Sequence, residues 1–175
     1  MSEAKNASSE PHHDPNALIH ALIEDILDKE KGFVDHPADK GGPTCWGIAK
    51  RFHPEAWVDG PPTRDAARAI YRRQYIERPG FLQIQDPALR AQLVDYGVNS
   101  GPILAIQRLQ TVLGCEPDGK LGPQTLAAAN AADPIALGNR VMAERLKMFG
   151  RIVAKDKKQA AFISGWIIRA LSFLR

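Results

Sequence analysis

The chain has 175 residues, 44% of them hydrophobic and 25% charged, which is the balance of a globular protein with one sizeable core or two small ones. A formal net charge of +3 is too weakly basic to argue for nucleic acid as a partner. Two cysteines, Cys45 and Cys115, make no disulfide framework and are read as reduced thiols.

Residues 1–13 are polar, include Ser8, Ser9 and Pro11, and are expected to form a disordered tail. They lack the basic and apolar regions of a signal peptide, so none is expected. His12 and His13 are adjacent in that tail, and His20, His36 and His53 lack ligand spacing; no metal site is expected. The first helix follows. Leu18, Ile19, Leu22, Ile23, Ile26 and Leu27 recur at helical spacing, with Asp14 and Pro15 suited to its start and Gly32 to a left-handed residue after its end. On this wheel Glu30 falls about 20° from Ile19 and from Ile23, whereas Glu24, Asp25 and Asp28 point to water. A carboxylate on the apolar face in a last helical turn is disfavoured in its charged form by burial and by the helix dipole, which suits a general acid. The other reading is a structural ion pair with a neighbouring lysine.

Beyond Glu30, His36-Pro37 and Gly41-Gly42 signal turns, and Thr44, Cys45 and Trp46 read as a short strand. A small hairpin beside the end of the helix would carry Asp39 and Thr44 toward Glu30. Two carboxylates flanking a sugar linkage are the minimum equipment for glycoside hydrolysis.

The ordered set Glu30, Gly32, Phe33, Val34, Pro37, Asp39, Gly41, Gly42, Thr44, Gly47 and Ile48 resembles the signature of the phage-type N-acetylmuramidases of glycoside hydrolase family one hundred and eight. The order and spacing of Glu30, Asp39 and Thr44 is also similar to that of phage lysozymes. Lys31 stands where the family usually has a glycine, and His36 where an aspartate is common.

Phe52 to Pro62 reads as a loop, after which Thr63 caps a helix that Pro79-Gly80 ends. Tyr71 and Tyr75 share a face at i and i+4, either as core aromatics or as a sugar-binding wall. Asp86-Pro87 opens a helix with Leu89, Leu93, Tyr96 and Gly97 on its buried face, Gly97 permitting a close approach. Its ending, Asp95 to Pro102, is similar to the turn between two helices in the same family; Asn99 and Ser100 either bind sugar or cap the helix that follows.

That helix runs through Leu104, Ile106, Leu109, Val112 and Leu113, and turns follow at Asp118-Gly119 and Gly122-Pro123. The pattern resembles helical peptidoglycan-binding modules, although the Asp-Gly and Gly-Pro pairs also serve turn geometry. Asp133-Pro134 starts a long helix to about Lys157. Its basic residues, among them Arg140, Arg145, Lys147 and Arg151, read as a solvated face. The last stretch is too short to span a membrane and is interrupted by Arg169, so it reads as core packing or an amphipathic tail. Its pattern Phe162, Gly165, Trp166, Arg169 resembles the family's terminal helix.

The resemblance implies a mainly α (α+β), lysozyme-like two-lobed fold with a small β-hairpin: a catalytic lobe over 14–100 and a helical peptidoglycan-binding-like subdomain over 101–175 packed on it. It implies hydrolysis of the β-1,4 bond between N-acetylmuramic acid and N-acetylglucosamine in bacterial peptidoglycan. Glu30 would be the acid, Asp39 the stabiliser or base and Thr44 the residue that positions water. Trp46, Tyr71, Tyr75, Asn99 and Ser100 are the candidates for substrate binding. No cofactor, nucleic acid or stable membrane insertion is expected, and the chain is expected to be a monomer. It would be made in the cytoplasm and reach the wall in the periplasm after holin release or export by a dedicated secretion system. The rival is a non-catalytic wall-binding or scaffolding module that retains the fold, which an ammonium at Lys31 favouring ionised Glu30 would suit.

Overall fold

The computed structural model describes residues 16–30, 32–35 and 42–175. The expected tail, the cap by Asp14 and Pro15, and the positions of Lys31, His36, Pro37, Asp39 and Gly41 lie outside the described residues. In chain order the elements are α1 (Ala17–Lys29), β1 (Phe33–Val34), β2 (Thr44–Cys45), β3 (Ile48–Ala49), α2 (Arg64–Arg72), α3 (Pro87–Ser100), α4 (Pro102–Leu113), α5 (Pro123–Ala131), α6 (Pro134–Lys155) and α7 (Ile163–Leu171). The fold is mainly helical with one small antiparallel sheet of order β1-β2-β3.

α1 buries Ile19, Ile23, Ile26 and Leu27, the face its periodicity marks. Its end differs from expectation. The helix stops at Lys29, and Glu30 is the C-cap, with an extended backbone at φ −75°, ψ 111° and its N–H donating to Ile26 O at 2.9 Å. Gly32 does not take the left-handed conformation. Because Glu30 leaves the helical path, the 100° wheel no longer aims its side chain, and the residue is exposed rather than buried. The opposite face is also less free than expected: Arg64 of α2 donates to Glu24 at 2.9 Å and to Asp28, joining the two helices side by side.

α3 is the central helix. Leu89 through Gly97 are all buried, so it is covered on every side rather than along one face. Burial all round makes its polar residues structural. Gln92 donates to the Gly138 carbonyl at 2.9 Å, where α6 lies close. A Cβ on Gly97 would sit 3.4 Å from Phe81 and from Pro102, consistent with the close approach expected there.

Asp95, fully buried, accepts from Arg145 Nη1 of α6 at 2.6 Å and from Arg169 Nε of α7 at 2.7 Å. Arg145 is therefore core, 1% exposed, and not part of a solvated basic face. Its guanidinium also lies over the rings of Tyr96 and Phe149. α7 packs through Trp166, whose ring centroid is 5.4 Å from that of Phe149, and through buried Ala170. No helix among the described residues is long and apolar enough to cross a membrane.

In the C-terminal half, buried Gln110 of α4 gathers the following loop. Its amide donates to Asp118 at 2.7 Å, the Lys120 carbonyl at 2.9 Å and Thr125 at 3.2 Å, and its oxygen accepts from Gly119 N–H. Gly119 has φ +75°, and a Cβ there would run into Ile103. The Asp-Gly pair thus does the turn-forming work allowed for it, and α6 ends at Lys155, two residues short of expectation. Replacing Asp95 by alanine leaves Arg145 buried without its carboxylate and should cost about 3–5 kcal/mol, read as a lower urea midpoint. A change under ~1 kcal/mol would mean that the two arginines find other partners.

Candidate active site

Pairing of Cys45 with Ile48 closes β2 and β3 around a two-residue loop, Trp46-Gly47. Both residues have positive φ, 52° and 75°, the signature of a type I′ turn, whose twist matches that of the flanking strands. Glycine meets this demand freely. A bulky residue at the first position is strained, at a cost of order 1–2 kcal/mol. Trp46 is thus a turn residue rather than the end of a strand, and what holds it there is packing. It is partly buried against the core, and Arg64, already bridging Glu24 and Asp28, lies over its ring at 5.8 Å. The hairpin is fastened from behind by buried Cys45, whose thiol donates to the Pro62 carbonyl at 3.5 Å and whose ionisation is pushed up by burial. Cys115 is also free.

Gly47 is the contact between turn and helix end. A Cβ built on it would collide with the Tyr71 hydroxyl and come within 3.1 Å of Glu30 Cγ and 3.2 Å of Glu30 Cδ. Glu30, Gly47 and Tyr71 therefore meet at one point. Tyr71 is a core residue of α2 with only its hydroxyl end at the site. Its pKa is pushed up to about 12, first by burial, then by the charge of Glu30 and by Tyr75. Tyr75 stacks on it with centroids 5.7 Å apart. Past Arg72 the helix widens into a π-helical turn, Arg73–Glu77, and Tyr75 sits in it, a distortion common beside functional sites. Tyr71 is thus core, and Tyr75 is half-buried and packed against the core.

Thr44 lies on β2, the middle strand, paired with Val34 and Ala49; its hydroxyl donates to the Gly42 carbonyl at 3.4 Å. Asp39 lies outside the described residues. Asn99 and Ser100 are the last residues of α3, and Asn99 donates back to the Asp95 carbonyl at 2.7 Å. Neither caps α4, which starts after Gly101 without a side-chain cap. They line a separate hollow together with Arg145 and Trp166, to which Glu30, Tyr71 and Tyr75 do not contribute. Among the described residues, no cluster of His, Cys, Asp and Glu is arranged to hold a metal ion. Sequence reading missed the positioning roles of Gly47 and Arg64. The pairing of Arg64 and Arg68 with Glu24 and Asp28, each set spaced i, i+4, was the available signal for the second.

An accessible carboxylate, a sheet turn packed on it and an aromatic pair beside it are fitting equipment for cutting a sugar polymer. Residues 23–101 match the family model described as glycosyl hydrolase 108. Residues 104–171 match a predicted peptidoglycan domain. Residues 23–101 thus carry a glycosyl hydrolase 108 domain. A solved structure of Brucella abortus SagA is similar, with 28% identity and a TM-score of 0.66 over 93% of this chain and 98% of that one. No curated protein matches. With the glycosyl hydrolase 108 domain followed by a predicted peptidoglycan domain, the chain is a glycosidase-type peptidoglycan hydrolase with a lysozyme-like fold.

Gly47→Ala should displace either the carboxyl or the phenol. The expected result is at least a tenfold loss of reducing-end release from purified peptidoglycan and a stability loss of about 1–3 kcal/mol; unchanged activity would show that the turn yields without moving Glu30. The raised Tyr71 pKa carries a pH sign. The folded state holds this proton where the unfolded chain, titrating near 10, has lost it. The stability from this group is therefore complete below pH 10 and lost progressively between pH 10 and about 12. With only three tyrosines in the chain, absorbance titration near 295 nm can follow it. Glu30→Gln should move the Tyr71 transition down, and no movement would place the carboxyl too far away to act on the phenol.

Proposed function

We propose that the chain cleaves the β-1,4 bond between N-acetylmuramic acid and N-acetylglucosamine, with Glu30 protonating the leaving oxygen. The observation that carries this reading is the placement of Glu30, exposed at the end of α1 yet in contact with Gly47 of the hairpin and beside the Tyr71 hydroxyl. An acid that must reach a glycosidic oxygen needs both access and a fixed position, and this arrangement favours both. Asp39 stabilises the oxocarbenium-like transition state or activates water, and Thr44 positions that water. Trp46 and Tyr75 offer aromatic faces to the sugar rings. The lobe over 14–100 supplies the chemistry, and 101–175 forms the wall-binding side of a monomeric enzyme.

In this reading the protein is made in the cytoplasm and acts in the periplasm, after holin release or through a dedicated secretion system. The test is reducing-end release from purified peptidoglycan by wild type and Glu30→Gln, with sacculus sedimentation alongside. A loss of about a hundredfold or more, with sedimentation retained, is expected. Equal rates would remove Glu30 from the role of acid. Mass spectrometry of the products checks the bond: reducing ends on N-acetylglucosamine instead of N-acetylmuramic acid would contradict muramidase specificity.

A further inference from the structure

Asp95 is shared by two guanidiniums, and the charges do not balance. Arg145 and Arg169 each donate to it, so one buried carboxylate faces two cations. Donor capacity is also in excess: Arg145 Nε and Arg169 Nη2 are buried without a hydrogen-bond partner. Unpaired buried donors on a charged group are costly and call for a partner. Both arginines line a hollow of about 120 Å³ at the junction of α3, α6 and α7, together with Asn99 and Ser100 at its polar edge and Phe149 and Trp166 on its apolar side. This volume suits a few non-hydrogen atoms and is too small for a hexose ring.

We infer that this hollow binds a small oxyanion, a carboxylate or phosphate, held by Arg145 and Arg169 against Ser100 and Trp166. Planar guanidiniums are the side chains best matched to such groups. Asp95 orients both arginines and limits the site to a single negative charge. The apolar wall of Phe149 and Trp166 favours an anion that carries a short hydrocarbon part, such as acetate or the lactyl carboxylate of a muramyl group. The inference is independent of the role of Glu30, because neither Glu30 nor the residues around it line the hollow.

The test uses the full chain exchanged into chloride buffer and titrated with sodium acetate, and separately with sodium phosphate, at constant ionic strength. Saturable binding is expected from line broadening of the acetate or phosphate signal, with a change in tryptophan fluorescence and a rise in Tm of roughly 5 °C near saturation. Arg169→Gln, which leaves the Arg145–Asp95 pair in place, should abolish saturation, and Arg169→Lys should restore part of it. Muramyl dipeptide distinguishes the sources. Displacement of acetate by it assigns the anion to a wall end-group, and acetate binding that it does not disturb assigns a free ion. Wild type showing only the linear response of added salt would overturn the inference, whatever the variants do. So would equal saturation in wild type and in folded Arg169→Gln.

Discussion

The fold depends on one carboxylate. Asp95 lies in α3, the helix that packs against α1, α4 and α6, and its two oxygens are divided between Arg145 of α6 and Arg169 of α7. Those helices are 50 and 74 residues away in sequence from the group that ties them. Apolar packing alone would let α7 slide on α6, since the Phe149–Trp166 contact is non-directional. Charged hydrogen bonds at 2.6 and 2.7 Å fix the register. Burial of so much charge gains little net stability, but it makes every arrangement that separates the partners expensive.

A second constraint, independent of the first, sets the candidate site. Glu30 follows the last residue of α1, so the helix fixes where its backbone begins and leaves its side chain to be positioned by others. The Trp46-Gly47 turn does this from one side and Tyr71 from the other. Trp46 accepts a left-handed backbone so that Gly47 can approach. Its cost is met by packing and by Arg64, which also binds α1 through Glu24 and Asp28. Arg64 thus joins the helix that ends in Glu30 to the turn that holds Glu30.

Much of this was legible in the sequence wherever periodicity or turn chemistry is local. The buried face of α1, the Thr63, Asp86 and Asp133 caps and the Gly119 turn all follow from spacing and residue type. The rest depends on what periodicity does not carry. The chain leaves the helical path at Glu30, so the wheel does not aim that side chain. The partner of Arg145 lies fifty residues upstream, beyond any local pattern that would separate it from its basic neighbours. An aromatic residue does not signal positive φ, so the sequence of Trp46 and its neighbours reads as strand. Asn99 and Ser100 do not cap α4, because α3 runs through both and ends at Gly101.

The family-like residues separate by what surrounds them. Gln110, Asp118, Gly119 and Thr125 satisfy one another within a loop, so their pattern is explained without a ligand. Glu30 is exposed, and the tyrosine hydroxyl beside it keeps its proton to about pH 12. Near neutrality that hydroxyl is protonated and lies next to an exposed carboxyl group. Position therefore comes from the Gly47 contact and the phenol rather than from enclosure within the helix face. In the proposed reaction, a carboxyl group held this way meets a glycosidic oxygen without the helix end having to move.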